Sequence, residues 1–281
     1  EWELLEEFGS DWFILTDEKV YSHYKETLDN AKYPVYAFPE GEIHKNRATK
    51  EKIEDYLLSS GINRKTGIVA FGGGVVGDVA GFVAATILRG VKYVQVPTSL
   101  LSMVDSSVGA KTGVDSQHGK NLLGSIYRPV GVFIDLEFLK TSVLSAGMSE
   151  VIKMSMLMDK ELYNLLLSNT FESISQELML FIVKRSVELK KQVVEADEKE
   201  QNLRMILNFG HTMGHAVESE LRGLVNHGIC VGIGMVLELK IAKFLGLTEI
   251  DLNEVVCLLR QYHIDTELPR IHPELLLKRV K

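Results

Sequence analysis

The sequence predicts an α/β domain followed by an all-α domain. Short apolar segments alternate with helical patterns in the first half of the chain, which is typical of buried parallel strands and their crossover helices. A glycine-rich turn leads from one of these segments into a helix. After about Thr141 the apolar segments stop and helical spacing takes over. We therefore expect an α/β domain at residues 1–141 and a helical domain at residues 142–281.

The first domain contains five apolar segments that are too short for helices, and each predicts a buried strand. They are residues 12–16, 33–38, 68–71, 92–96 and 131–136. Helical patterns lie between them at residues 21–30, 49–59 and 76–88. This order of strand, helix and strand favours a parallel sheet.

The segment GIVAFGGGVVGDVAGFVAATILRG joins the third strand to a helix. Its glycines let the backbone turn sharply, and the helix N-terminus offers amide hydrogens to a pyrophosphate. The spacing does not fit G-x-G-x-x-G cleanly, so a tight turn without a ligand is an equal alternative. Gly77 and Gly81 give the helix a smooth face for the sheet, and Asp78 also suits the helix dipole without any functional role.

A long polar segment, PTSLLSMVDSSVGAKTGVDSQHGKN, follows the fourth strand. It lacks regular periodicity and is rich in Ser, Gly, Asp and Lys, so we expect an irregular loop. Open α/β sheets bind ligands at the carboxyl ends of their strands, which favours a binding loop over a merely solvated one.

The second domain shows five helical patterns, at residues 150–167, 178–194, 208–221, 230–245 and 252–262. The run EADEKE between two of them is most simply the solvated, acidic end of a helix. Cys230 and Cys257 both lie in apolar helical patterns, so we expect buried thiols, a reducing compartment and a cytoplasmic protein.

The segment LNFGHTMGHAVE places His211 and His215 on one face of a helix, about one turn apart. His227 follows, and Glu150 lies upstream in GMSEVIK. Histidines and a carboxylate without thiolates are typical of a catalytic zinc site, which keeps one position open for substrate or water. The alternative is a surface pair or a satisfied core pair of histidines.

The formal net charge of −7 argues against a nucleic-acid partner, so local basic groups are expected to serve a small anionic ligand. No uncharged apolar run approaches the length of a membrane span. The sequence opens on Glu1 rather than methionine, so an N-terminal targeting segment is not in view.

Several of these blocks together resemble the 3-dehydroquinate synthases of the shikimate pathway. The matching blocks are GGGVVGDVAGFVAATILRG, VQVPTSLLSMVDSSVGAKTGVD, GKNLLGSIYRP, AGMSEVIK, ADEKEQNLRMILNFGHTMGHAVE and HGICVGIGM. The resemblance covers about residues 17–234 and implies a dehydroquinate synthase-like fold. That fold is an α/β Rossmann-like NAD-binding domain at residues 1–141 plus an all-α zinc- and substrate-binding domain at residues 142–281.

The resemblance also implies roles for individual residues. It implies zinc ligands at Glu150, His211 and His227, with His215 near the substrate phosphate instead. It implies NAD contacts from Asp17, Glu42, Lys45, Gly73, Gly74, Val75, Asp78, Thr98, Ser99, Lys120 and Thr141. It implies substrate contacts from Asp105, Lys111, Asn121, Lys153, Lys190, Arg204 and Asn208, and an Arg89 that reaches across a homodimer interface.

The chemistry implied is the conversion of 3-deoxy-arabino-heptulosonate 7-phosphate into 3-dehydroquinate and phosphate. The family uses NAD for a transient oxidation at carbon 5, eliminates phosphate, reduces the ketone again and closes the ring by an aldol step. Zn²⁺, or Co²⁺ in its place, polarises the oxygen on carbon 5. Lys, Arg, Asn and His donors suit a substrate that carries both a carboxylate and a phosphate.

The sequence departs from the family pattern at a few places. Ala110 stands in GAKTG where the family usually has a second glycine, and we expect this to change loop stiffness only. The link at residues 138–147 is shorter than usual, as an omitted loop would explain. The family's first strand and its lysine-rich C-terminal motif are not in view, so the C-terminal end of the second domain is expected to be incomplete.

Three other functions remain open from the sequence. One is a cyclitol synthase that uses the same chemistry on another sugar phosphate. The substrate-contact residues that favour the dehydroquinate reaction over it are Asp105, Lys111, Asn121, Arg204 and Asn208. Another is a polyol dehydrogenase of the glycerol dehydrogenase type, which would accumulate NADH. The third is a non-catalytic binding module, and the intact set of ligand residues argues against it.

Overall fold

The structure is a computed structural model that describes residues 2–141, 144–198, 200–221 and 225–280, with the side chains of Lys140 and Thr141 outside the description. The chain forms two compact units, Glu1–Ser142 and Val143–Lys281. No helix in these described ranges is both long and apolar enough to cross a bilayer.

The first unit contains seven described strands. They are β1 Trp12–Asp17, β2 Val35–Phe38, β3 Gly67–Gly72, β4 Tyr93–Pro97, β5 Lys111–Ser116, β6 Gly119–Ile126 and β7 Gly131–Val132. Five of them form a sheet in the order β2-β1-β3-β4-β7, and all its neighbours pair in parallel. The predicted α/β class with a parallel sheet is confirmed.

Four helices accompany this sheet, namely α1 Glu18–His23, α2 Lys25–Asp29, α3 Arg47–Ser59 and α4 Gly74–Thr86. Alternate residues of β1 face opposite sides, because side chains along a strand point alternately up and down. Phe13 and Leu15 pack with α3 and α4 in one core, while Trp12 and Ile14 pack in a second core with Leu28 of α2. Both faces are therefore covered, which explains why the strands are apolar throughout.

The polar segment after β4 is not an irregular loop, so that prediction was wrong. It begins with a π-helical turn, Ser102–Ser106, and continues as the antiparallel hairpin β5–β6. Gly81 of α4 leaves room for the hairpin to pack closely, because a Cβ there would lie 2.4 Å from Thr112 Cγ2. The predicted strand at residues 131–136 is also shorter, with only Gly131 and Val132 paired to β4.

Ala110, just before β5, has a φ of 59°, in the left-handed region that glycine adopts most easily. An L-residue in this conformation costs about 1–2 kcal/mol. The replacement of the usual glycine therefore does more than change loop stiffness, because it introduces local backbone strain at the entrance to the hairpin.

The second unit is helical, as predicted. Its described helices are α5 Leu144–Met158, α6 Lys160–Leu167, α7 Gln176–Ala196, α8 His211–Leu221, α9 His227–Phe244, α10 Leu252–Gln261 and α11 Pro273–Arg279. The single helix expected at residues 150–167 is two helices, because Asp159 leaves the helical conformation and caps α6. Cys230 is buried but Cys257 is exposed, so the expectation of two buried thiols holds only for Cys230.

Candidate active site

Three of the residues expected to hold NAD lie at the carboxyl edge of the parallel sheet. Asp17 ends β1, Gly73 follows β3 and Thr98 follows β4. The sheet order places β2 on one side of β1 and β3 on the other, so the connections diverge here. Such a switch point is where open α/β sheets form a ligand crevice.

The glycine turn between β3 and α4 presents backbone rather than side chains. Gly73 is the N-cap of α4 and makes no side-chain cap, and Gly74 is the first helical residue. A Cβ at Gly74 would lie 3.2 Å from Ser106 Oγ, and one at Gly73 would lie 3.5 Å from Ser99 Oγ. The first-turn amides of α4 have no acceptor within the helix, so this turn fits a pyrophosphate.

Lys45 connects three elements beside this turn. Its buried Nζ lies 2.6 Å from Asp78 Oδ2 on α4 and donates to Asn121 Oδ1 on β6 at 2.5 Å. Burial lowers the pKa of Lys45, but the Asp78 and Glu42 carboxylates outweigh burial and raise it overall. Lys45 therefore stays charged and ties the hairpin to the helix.

The remaining candidates in this unit lie around the same elements. Asp17 accepts a hydrogen bond from the Val20 amide, and burial raises its pKa. Glu42 and Lys120 form an ion pair at 3.2 Å. Val75 lies in the first turn of α4, Asp105 in the π-helical turn, Lys111 at the start of β5, and Arg89 in a stretch with positive φ that runs through Gly90. The Thr141 side chain lies outside the described residues.

In the second unit, three histidines converge. His211 is the first residue of α8, His215 follows one turn later, and His227 is the first residue of α9. One ring nitrogen from each lies within 4.8 Å of those of the other two. Their ring centroids are 5.2 to 5.7 Å apart. This spacing allows a single cation to be shared among them.

A buried acid and a buried lysine adjoin the histidines. Glu150 on α5 is fully buried, and its Oε1 lies 3.4 Å from His211 Nε2. Its Oε2 pairs with Lys153 Nζ one turn further along α5. Lys153 Nζ also donates to the Leu207 carbonyl at 2.6 Å. The helix α5 therefore brings one carboxylate and one ammonium to the histidine cluster.

Two of the histidines have a hydrogen-bond acceptor near Nδ1. His211 Nδ1 lies 3.2 Å from the Phe209 carbonyl oxygen, and His227 Nδ1 lies 3.3 Å from Glu218 Oε2. Both acceptors favour the proton on Nδ1, which leaves the lone pair on Nε2. Burial lowers the pKa of His211 to about 4, so its ring is neutral at pH 7.

The donor set therefore fits a divalent metal of the zinc type, which binds neutral imidazole and carboxylate. Geometry alone leaves four candidate ligands, because His215 lies as close to the other rings as they do to each other. His215 is the exposed member of the histidine group, whereas Glu150 is buried. The assignment of Glu150, His211 and His227 as ligands stays a prediction.

The acidic run after α7 organises a turn, so its interpretation as a solvated helix end was incomplete. Asp197 accepts hydrogen bonds from the amides of Gln201, Asn202 and Arg204. The buried Arg204 side chain donates to the Glu198 carbonyl at 2.8 Å, and Asn208 donates to Glu200 at 2.9 Å. Two predicted substrate residues are thus fixed by this acidic run. Lys190, another predicted substrate residue of the second unit, is a buried residue of α7.

Sequence reasoning missed three acids that support the predicted residues. Glu218 could have been found, because it lies one more turn along the α8 face that carries His211 and His215. Asp115, whose Oδ1 accepts the Asn121 amide hydrogen, lay in the segment taken for a loop. Glu238 on α9 gave no sequence signal, because its contacts cross between two helices.

Family models match nearly the whole chain. A model described as 3-dehydroquinate synthase N-terminal matches residues 35–147, and one described as 3-dehydroquinate synthase C-terminal matches residues 147–281. A 3-dehydroquinate synthase from Pelobacter propionicus is 49% identical over 240 residues, which cover 83% of this chain and 67% of that protein. The pentafunctional AROM polypeptide 1 of Lodderomyces elongisporus is 48% identical over 228 residues. These cover 75% of this chain and 15% of that polypeptide, so the chain spans a small part of that relative.

Solved structures share the fold. A 2-epi-5-epi-valiolone synthase from Streptomyces hygroscopicus, with NAD⁺ and Zn²⁺ bound, has a TM-score of 0.91 at 28% identity and covers 99% of this chain and 81% of that one. A glycerol dehydrogenase from Schizosaccharomyces pombe has a TM-score of 0.67 at 14% identity, with 99% of this chain and 78% of that one covered. The second likeness is one of fold alone.

Proposed function

The chain belongs to the 3-dehydroquinate synthase family, and from that membership we propose that it converts 3-deoxy-arabino-heptulosonate 7-phosphate into 3-dehydroquinate and phosphate. The observation that carries this proposal is the cluster of His211, His215 and His227 beside Glu150 and Lys153. It combines a site for a divalent metal with a fixed positive charge, which suits an anionic, oxygen-rich substrate.

We propose that the two units divide the work. The first, with its glycine turn at the switch point of the sheet, would bind NAD, and the second would bind the metal through Glu150, His211 and His227. The valiolone synthase with NAD⁺ and Zn²⁺ supports both assignments by analogy. When bound, NAD would supply reversible hydride transfer, and the divalent cation would supply Lewis-acid polarisation of a substrate oxygen.

The residues around the histidines would supply charge and protons. Lys153 is held between the Glu150 carboxylate and the Leu207 carbonyl, so its ammonium stabilises negative charge that develops on the substrate oxygen. His215 has an exposed ring on the same helix face as His211, and we assign it to the phosphate that leaves. Arg204, fixed by the acidic run, would hold an anionic group of the substrate.

The other proposed contacts follow family membership residue by residue. The nucleotide contacts proposed are Asp17, Glu42, Lys45, Gly73, Gly74, Val75, Asp78, Thr98, Ser99, Lys120 and Thr141. The substrate contacts proposed are Asp105, Lys111 and Asn121 in the first unit, and Lys153, Lys190, Arg204 and Asn208 in the second. We also propose a cytoplasmic homodimer in which Arg89 reaches the neighbouring subunit.

Neither enzymatic alternative is favoured. Identity to the Pelobacter 3-dehydroquinate synthase is 49%, against 28% to the valiolone synthase, which supports the dehydroquinate-forming reaction over cyclitol synthesis. The glycerol dehydrogenase likeness extends to the fold and no further. The cyclase and dehydrogenase reactions also differ in redox balance. The cyclase regenerates NAD in each cycle, whereas a dehydrogenase accumulates NADH.

The test is one assay with two readouts. The protein is loaded with Zn²⁺ and NAD and given the heptulosonate phosphate, and released phosphate and NADH absorbance are followed together. We expect many phosphates per active site without accumulation of NADH, and we expect no release from His211→Ala. His263→Ala, which changes an exposed histidine stacked on Phe171, should keep full activity. No phosphate release from protein with confirmed NAD and metal, or NADH formed in step with turnover, would contradict the proposal.

A further inference from the structure

Glu238 on α9 holds the start of the helix that carries His211 and His215. Its Oε2 accepts a hydrogen bond from the Gly210 amide at 2.7 Å, and its Oε1 accepts one from the Met213 amide at 3.1 Å. These two amides lie on either side of His211 in the chain. Both carboxylate oxygens of one side chain therefore fix the backbone that presents this histidine.

The two helices meet with almost no space between their backbones at this point. A Cβ at Gly234 of α9 would lie 1.9 Å from the Gly210 carbonyl oxygen and 2.6 Å from the Gly214 amide nitrogen. A Cβ at Gly210, whose φ is 78°, would lie 2.9 Å from the Val231 carbonyl oxygen. The glycines allow the contact, and Glu238, one turn beyond Gly234, adds the hydrogen bonds that set its position.

The same face of α9 carries both His227 and Glu238. They are eleven residues apart, which is close to three helical turns, so they lie on one side of the helix. The helix α9 thus presents one histidine of the cluster itself and holds the start of the helix that presents the other two. A shift at Glu238 would change the distance between His211 and His227.

The charge of Glu238 also matters for a cation. The N-terminus of a helix carries a partial positive charge, which opposes a divalent metal bound at its first residue. Because Glu238 accepts two amide hydrogens at the start of α8, it places a full negative charge against that helix end. A neutral side chain would leave the unfavourable helix dipole uncompensated.

We propose that Glu238 is a positioning residue for the metal site, which acts through the backbone of residues 210–213 on His211. This inference rests on the proposed function, because it assumes that the histidine cluster binds a metal. It goes beyond that function because Glu238 does not belong to the proposed ligands or substrate contacts. Loss of Glu238 should weaken the metal site by about 10–100-fold, as loss of outer supporting groups does elsewhere.

The experiment compares Co²⁺ binding to the whole protein and to three variants. Co²⁺ affinity is measured by chelator competition, and the visible d–d bands report the ligand geometry. Glu238→Ala removes both hydrogen bonds and the charge. Glu238→Gln keeps the shape and one acceptor but loses the charge, and it serves if the alanine variant does not fold. The matched control is Asp251→Ala, which removes the N-cap of α10 in the same unit.

We expect the Co²⁺ Kd to rise about 10–100-fold for Glu238→Ala and by a smaller factor for Glu238→Gln, with altered d–d bands in both. Asp251→Ala should lower the Tm yet keep the wild-type Kd and spectrum. If both Glu238 variants keep the wild-type Kd and spectrum, Glu238 is only a helix cap. That result would overturn the inference about Glu238 but leave the proposed metal site standing. If the wild-type protein binds no Co²⁺, the proposed metal site is overturned as well.

Discussion

At the scale of single residues, hydrogen-bond acceptors and burial distinguish the three histidines. His211 and His227 each face an acceptor through Nδ1, which leaves Nε2 for a metal. His211 additionally faces the buried Glu150 through that same Nε2. His215 has the most exposed position of the three, which suits the substrate-handling role proposed for it. The sequence alone presented His211 and His215 as an equivalent pair, because helical spacing cannot report proton positions or burial.

The first prediction concerns the difference between His227 and His215. His227→Ala removes a proposed ligand, so we expect most of the bound metal to be lost on dialysis. His215→Ala should retain close to one metal per chain but lose phosphate release. Metal analysis by mass spectrometry and the phosphate assay measure the two effects separately. His263→Ala serves as the control for loss of a histidine elsewhere, and equal metal loss in both cluster variants would place His215 among the ligands.

At the scale of secondary-structure elements, the sequence predicted the buried strands and most helices well, since their apolar periodicity is set by the core. It missed the hairpin β5–β6 because a strand such as GKNLLGSI, half exposed and rich in glycine, lacks regular alternation. It also merged α5 and α6, because periodicity continues across Asp159. Of the candidate site, it found the histidines and the glycine turn, but not Glu238, whose role depends on how two helices cross.

The second prediction concerns Asp159, the break between α5 and α6. Burial raises the pKa of Asp159, but hydrogen bonds from the Leu162 amide and from Arg185, with the Arg185 charge, outweigh it and hold the pKa below its usual value. Asp159→Asn keeps the acceptor for the helix cap but loses the charge facing Arg185. Because Arg185 is partly exposed, we expect a loss of about 1–2 kcal/mol in the free energy of unfolding at pH 7.

The pH dependence of that loss has a defined sign. A depressed pKa contributes stability above the unfolded-state pKa of aspartate, about 3.9, and this contribution disappears as pH falls through the folded-state value. The difference between wild type and Asp159→Asn should therefore be constant from pH 7 to about pH 5 and shrink below about pH 4. Urea unfolding of both proteins at each pH measures it. The control is Asp251→Asn, which changes the aspartate that accepts the Asn253 amide hydrogen at the start of α10. A difference that persists below both pKa values would contradict the assignment.

At the scale of the whole molecule, each unit has its own hydrophobic cores and its own candidate ligand site. The first unit packs its helices on both faces of the parallel sheet, with the glycine turn at the carboxyl edge. The second packs α8, α9 and α11 around Ala216, Val217 and Ile233, close in sequence to the histidines. A ligand stabilises the elements that bind it, so the two proposed cofactors should protect different parts of the chain.

The last prediction follows from this separation and concerns removal of the metal. The proposed donors lie on α5, α8 and α9, so a bound cation stabilises these helices only when they are folded together. At a free metal concentration of 100 times Kd, the stabilisation is about 2.7 kcal/mol, which is about 100-fold in amide exchange for amides that exchange through opening of the site. A chelator should therefore speed exchange in these helices by up to that factor, while β1, β3 and β4 stay protected, since none of the donors lies on them.

Saturating NAD should have the opposite pattern, with slower exchange around the Gly73 turn and little change in α8. Hydrogen exchange read by mass spectrometry resolves both cases, and His227→Ala provides a protein in which the chelator should have almost no effect. Equal changes in both units on metal removal would mean that the cation stabilises the chain through something other than the histidine cluster.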